Sequence, residues 1–103
     1  GYAYYYENQE RKKSVEIDGG EGCDAPNEEH VLSGEYAPLS RPLFIYVNKE
    51  AYESDETVKA FIDFYLSPDN SPFVADTGYV ILNEEQYAAS QAKVESGEVK
   101  TVE

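Results

Sequence analysis

Among 103 residues the chain carries one histidine, His30, and one cysteine, Cys23. An imidazole–thiolate metal centre needs several such ligands at short, defined intervals, so a Cys-rich zinc site is excluded, as is a disulfide within the chain. With no second histidine nearby, His30 reads as a surface helix residue rather than a ligand or base. A Ser–His–acid triad would have to be built on it, and no nucleophile elbow places a serine. The acidic loop that begins at Asp18 invites a calcium reading. Oxygen donors would be needed at its third and fifth positions and glycine at its sixth; those positions hold Gly20, Gly22 and Cys23, and the reading fails. Nor does Gly19-Gly20-Glu21-Gly22 open a helix, as a phosphate-cradling glycine loop must. Acid pairs at Glu28/Glu29 and Glu84/Glu85 fall where helix N-termini favour negative charge, which accounts for them without catalysis. Arg41, beside the main apolar run, is able in principle to clamp an oxyanion. Next to Pro38 and Pro42, at the start of a strand, a structural role is the simpler account. No catalytic, ligand-binding or metal-binding residue is therefore assigned, no cofactor is expected, and the chain is expected not to be an enzyme.

The elements that would position a site are uneven in strength. Residues 3–13 combine good helix formers with Arg11, Lys12 and Lys13 at the end, where a helix dipole favours cations, and predict a helix. Tyr2, Tyr5 and Tyr6 give it a partly aromatic face; such a face can stack on sugars or bases, but amphipathic packing is its ordinary use. Ser14 to Asp18 alternates and predicts a short strand with Val15 and Ile17 inward. Gly19 to Pro26 reads as a loop, and Asn27 caps a short helix that Gly34 ends. Pro38 and Pro42 bias Tyr36 to Arg41 towards extended backbone.

Leu43-Phe44-Ile45-Tyr46-Val47 is an uninterrupted β-favouring run, which predicts a strand covered on both faces. After a helical turn at Lys49–Tyr52, Ser54 or Asp55 caps a helix from Asp55 to Leu66. In it Val58, Phe61, Ile62 and Tyr65 fall at i, i+3, i+4 and i+7, which predicts one buried face, and Pro68 ends it. A further turn over Ser71–Asp76 leads through Thr77-Gly78 to a short extended run, Tyr79 to Leu82. Asn83 caps a last helix, Glu84–Ser96, with Gly97 as its stop and a weak stripe of Tyr87, Ala88, Ala92 and Val94. The tail from Glu98 to Glu103 reads as polar and frayed.

Composition bounds the partners. Basic residues number 8 and acidic ones 21, a net charge of −13, and a field of that sign repels nucleic acid and anionic membrane alike. A small anion in a cleft stays permitted, because surface charge is screened over about 8–10 Å at ordinary ionic strength. No apolar run is long enough to span a membrane, and no signal-peptide pattern opens the sequence. The length fits one domain or part of a larger one. The absence of methionine, with the opening on Gly1-Tyr2-Ala3-Tyr4-Tyr5-Tyr6, favours an excised segment. So does the strand count. Leu43–Val47 wants neighbours on both sides, and two or three strands are too few for a self-sufficient parallel sheet. The chain is expected to be incomplete, or to complete itself by oligomerising.

Several stretches carry a family resemblance. They are Tyr36-Ala37-Pro38-Leu39-Ser40-Arg41-Pro42-Leu43-Phe44-Ile45-Tyr46-Val47, then Val58-Lys59-Ala60-Phe61-Ile62-Asp63-Phe64-Tyr65-Leu66, then Gly78-Tyr79-Val80. With Gly1-Tyr2-Ala3-Tyr4-Tyr5 and Gly22-Cys23-Asp24-Ala25-Pro26 upstream, the chain resembles the C-terminal region of the periplasmic phosphate-binding protein of bacterial phosphate ABC transporters. The likeness covers nearly the whole chain, and its motifs are structural; a departure is Val80-Ile81-Leu82, where a proline would follow the Gly-Tyr-Val. The resemblance implies an α/β fragment of a periplasmic-binding-protein type II fold, with two or three strands and three to five helices. Residues 1–103 would then be a single segment from the C-terminal part of a two-domain solute-binding protein.

For the full-length parent the resemblance implies inorganic phosphate and ABC permease membrane subunits as partners, at the periplasm or the extracellular surface. The family's Ser-Gly-Thr-type anion loop and its arginine lie upstream of the matched region, so no ligand residue is carried over; Ser40 and Arg41 would lie near the hinge. The expectation is a phosphate-receptor fragment that lacks its anion site and self-associates. The alternatives are a stand-alone interaction or assembly module, a binder of another oxyanion such as sulfate, and a phosphatase on the same fold, for which no nucleophile–base pair is seen.

Overall fold

Residues 1–99 are described by the structure, a computed structural model. The expected frayed tail reaches this region only at Glu98 and Val99; from position 100 onward it lies outside the described residues. Those residues form six α-helices, one 3-10 turn and one two-stranded antiparallel ribbon, a mixed α/β composition. They group into two compact units, Gly1–Leu43 with Pro72–Ile81, and Phe44–Ser71 with the chain from Leu82.

In the first unit, α1 covers only Tyr2–Tyr6, shorter than the helix expected over 3–13. Asn8 Nδ2 donates to the Tyr4 carbonyl at 2.9 Å and Gln9 Nε2 to the Tyr6 carbonyl at 3.2 Å. These side chains take carbonyls that a continuing helix would use, so the chain runs on in turns and Arg11, Lys12 and Lys13 lie past the helix. β1 (Ile17–Asp18) pairs with β2 (Cys23–Asp24), Ile17 opposite Asp24 and Asp18 opposite Cys23. The expected loop therefore contains a strand of its own. Gly20 and Gly22, at φ 115° and 133°, turn the chain between the two. Val15, expected inward, is exposed and outside the ribbon, while Ile17 is half-buried.

Helix α2 (Glu28–Ser33) forms as expected, with Asn27 accepting from the His30 amide and Gly34 ending it at φ 85°. Tyr36 to Arg41 is not extended. Positions 37–39 form a turn closed by the Ser40 amide on the Tyr36 carbonyl at 2.7 Å. The Tyr36 hydroxyl then donates to the Val15 carbonyl at 2.9 Å, and Ser40 Oγ to the Val31 carbonyl at 2.6 Å. After α5 (Ser71–Asp76), Gly78 has φ 79°, and a Cβ placed on it would stand 2.9 Å from the Ala3 Cβ.

The second unit is helical. Helix α3 (Lys49–Ser54) is capped by Asn48, and α4 (Glu56–Tyr65) by Asp55, whose carboxylate accepts from the Thr57 and Val58 amides. A 3-10 turn, Pro68–Asn70, follows. Helix α6 (Glu84–Ser96) opens on a reciprocal capping box between Asn83 and Gln86 and stops at Gly97, φ 63°. The buried side chains among the described residues, Ile62, Leu66 and Tyr87, all belong to this unit.

The helical period of α4 is as expected and its phase is not. Ile62 is 6% exposed and Phe61 62%. The inward face is Val58, Ile62 and Leu66, at i, i+4 and i+8; Phe61 and Tyr65 lie outside it with their rings 6.3 Å apart. On α6 the residues withdrawn from water are Gln86, Tyr87, Ser90, Gln91 and Val94, while Ala88 and Ala92 are exposed. Three of the five are polar, which is why the apolar stripe looked weak. Gln91 Nε2 donates to the Leu66 carbonyl at 3.1 Å and so ties α6 to the end of α4.

Neither Leu43–Val47 nor Tyr79–Leu82 forms a strand. The first was expected to be covered on both faces, yet Leu43 is 74% exposed and Tyr46 76%. A ladder needs a partner, and the strands among the described residues, β1 and β2, are two residues long and already paired.

The phase of α4 sets an expected outcome. Ile62→Ala should lower stability by about 2–4 kcal/mol, and Phe61→Ser should change it by no more than about 0.5 kcal/mol, measured by urea unfolding of the far-UV circular dichroism signal. Equal losses would place the buried face where the simple i, i+3, i+4, i+7 pattern puts it.

Candidate functional site

The densest polar constellation joins α3 to α4. Lys59 Nζ donates to Asp63 Oδ2 at 2.7 Å and to the Tyr52 hydroxyl at 3.1 Å, and that hydroxyl donates to Asp63 Oδ1 at 2.8 Å. The ammonium also stands 4.9 Å from the centre of the Tyr52 ring, within cation–π range. The hydrogen bond to Asp63, then that to Tyr52, pushes the Lys59 pKa above its ordinary value. The hydrogen bonds from Lys59 and then Tyr52 hold the Asp63 carboxyl below its ordinary range. Both side chains are exposed, so water screens the pair. Both carboxylate oxygens are engaged and the ammonium is neutralised by its partner. The cluster therefore works as a staple between two helices rather than as a nucleophile–base pair.

Beside it lies a hollow of about 170 Å³ lined by Tyr52, Asp63, Leu66, Gln91, Val94 and Glu95. Its two charged lining groups are both acids, which disfavours an anion there. The N-termini of α2, α3, α4 and α6, of the kind that could hold an anion, carry caps from the chain's own side chains. Asn27 takes the His30 amide, Asn48 that of Ala51, Asp55 those of Thr57 and Val58, and Asn83 that of Gln86.

His30, read from the sequence as a surface residue, is half-buried and engaged. Its Nδ1 lies 2.9 Å from the Ala25 carbonyl, which can only accept, so that nitrogen carries the hydrogen. Asp24 and Glu35 stand 3.8 and 3.9 Å from the ring nitrogens. This joins the start of α2 to the segments before and after it. Cys23 and Arg41 are exposed. Among the described residues, no three His, Cys, Asp or Glu side chains converge as a metal site would require. Sequence reasoning missed the Tyr52–Lys59–Asp63 cluster. The i, i+4 spacing of Lys59 and Asp63 was a readable signal; the arrival of Tyr52 from another helix was not.

Over 102 residues, 99% of this chain, the sequence is 40% identical to Protein SphX of Synechocystis sp., of which the match covers 30%. It is 33% identical over 103 residues to SphX of Synechococcus elongatus, again 99% of this chain and 30% of the relative. It is 38% identical over 89 residues to the phosphate-binding protein PstS of Staphylococcus aureus, 84% of this chain and 26% of the relative. The chain belongs with SphX and PstS. This bears out the resemblance read from the sequence. The chain spans less than a third of the length of the SphX and PstS relatives it matches. No protein-family profile and no solved structure matches it.

The polar cluster has a pH signature. Because the Asp63 pKa is depressed on folding, its contribution to stability is present above the unfolded value of about 3.9 and is lost as pH falls through the folded one. Because the Lys59 pKa is raised, its contribution is present below about 10.4 and is lost only as pH rises beyond that, through the folded value. Carbon-detected NMR titration should place the Asp63 midpoint below about 3.9 and return it towards that value in Lys59→Met. A midpoint indifferent to that substitution would remove Lys59 as the cause.

Proposed function

We propose that the chain is the C-terminal part of a receptor that binds inorganic phosphate and delivers it to the membrane subunits of an ABC importer, from the periplasm or the extracellular surface. The 103 residues form one segment of a two-domain receptor, and the reading is non-enzymatic. The observation that carries it is the 38% identity to PstS, a protein named for binding phosphate, along 84% of this chain. SphX relatives match almost the entire chain and are likewise more than three times its length.

The anion site is assigned to the part of the receptor outside this segment. The caps on α2, α3, α4 and α6 and the acidic hollow beside α4 support that assignment, since each disfavours an anion there. On its own, the segment associates with further copies of itself; the exposure of Leu43–Tyr46 supports this part of the reading. Among the described residues no helix is long and apolar enough to cross a membrane.

Isothermal titration calorimetry should show no heat of binding for phosphate or sulfate on this chain. The full-length receptor should bind phosphate and not sulfate. Micromolar or tighter phosphate binding by the 103 residues would overturn the missing-site assignment, and a full-length protein that takes only sulfate would overturn the choice of anion.

A further inference from the structure

We propose that folding of this chain is coupled to the ionic strength of its medium, through negative charge that the fold concentrates and leaves unpaired. The excess is spread over both units rather than gathered in one patch. The first holds ten acids against four bases, and the second eleven against four. Among the described residues, every Asp and Glu except Asp24 is exposed. Ion pairs absorb little of this charge. Lys49 stands 3.9 Å from Glu53 and Lys59 2.7 Å from Asp63, and both pairs are exposed, where such contacts stabilise little. Arg11, Lys12, Lys13 and Arg41, the bases of the first unit, pair with no carboxylate among the described residues.

Helix dipoles accommodate the acids in the first turns of α2, α3, α4 and α6. No such account covers Glu7, Glu10, Glu16, Glu21 and Glu98, which lie outside the helices, or Asp76, which ends α5 at its negative pole. Unfolding moves like charges apart, so their repulsion weighs on the folded state. The burial set against it is small, with Ile62, Leu66 and Tyr87 the buried side chains among the described residues. A compact unit of about 50 residues has a radius of gyration of roughly 10 Å. At about 0.01 M salt the screening length is about 30 Å, so every charge of such a unit acts on the rest; at about 0.15 M it is about 8 Å, and only neighbours do. Salt weakens the two lysine pairs as well, but a net −13 outweighs two exposed pairs. The folded state therefore gains stability as salt is added.

Urea unfolding of the chain, followed by far-UV circular dichroism across a salt series at two protein concentrations, tests this. The midpoint should rise steeply up to about 0.15 M salt and level off above it. The rise should be the same in sodium, potassium and tetramethylammonium chloride, since screening needs no cation site. Glu7→Gln, Glu10→Gln, Glu16→Gln, Glu21→Gln, Asp76→Asn and Glu98→Gln combined remove nearly half of the net charge. Because repulsion grows as the square of that charge, the combined variant should show less than half of the rise. A midpoint indifferent to salt, or no transition at any salt concentration, would overturn the proposal. So would a steady climb through the molar range, the mark of salt exclusion, a preference for one cation, or a rise that vanishes on dilution and so belongs to self-association. None of these outcomes bears on the calorimetric test with phosphate, so the two readings fail separately.

Discussion

Ile62, Leu66 and Tyr87 leave water almost completely, and the helical unit depends on that burial. Each such side chain contributes roughly 1.5–3 kcal/mol relative to exposure. Around them the bonding is local, with helix caps at both ends of α6, a cap on α4, and the Gln91 side chain reaching the carbonyl that α4 leaves open at Leu66. The other unit has half-buried side chains such as Ile17, Val31 and Tyr36, and holds them with turns and side chain–backbone bonds. A small core with many caps fixes helices locally and leaves large apolar side chains in water.

This division explains what could be read from the sequence. Asn27 and Asn83 as caps, and Gly34 and Gly97 as stops, are determined within four or five residues, and those assignments hold; of Ser54 and Asp55, both open as caps of α4, the structure uses Asp55. The apolar character of Leu43–Val47 was equally plain. Its pairing was not, because a ladder depends on a partner that the run's own residues do not specify. On α4 the period came from the sequence and the phase from packing. Phe61 and Ile62 are both strongly apolar, and only the position of the neighbouring helices decides which turns inward.

The candidate site shows the same contrast. Acid pairs at Glu28/Glu29 and Glu84/Glu85 do lie in the first turns of α2 and α6, as their sequence positions required. The staple of Tyr52, Lys59 and Asp63 needed two helices to be placed first. His30 departs from its expected exposure for a similar reason, since the Ala25 carbonyl and the acids at 24 and 35 reach it through the folding of the segments on either side of α2. The family was carried by short stretches such as Tyr36–Val47 and Val58–Leu66, whose residue order is distinctive even where their structure in this chain is partial.

The contact between Gly78 and Ala3 sets a joint limit on volume. A glycine at φ 79° is fixed by its backbone, and the space its missing Cβ would fill is already taken by the methyl group at position 3. A side chain at position 78 would press on the Cβ and Cα of Ala3, which have no flexible end that can swing aside. The two positions, 75 apart in sequence, therefore meet across the space of a single methyl group, so glycine at 78 answers both to its own backbone and to its neighbour.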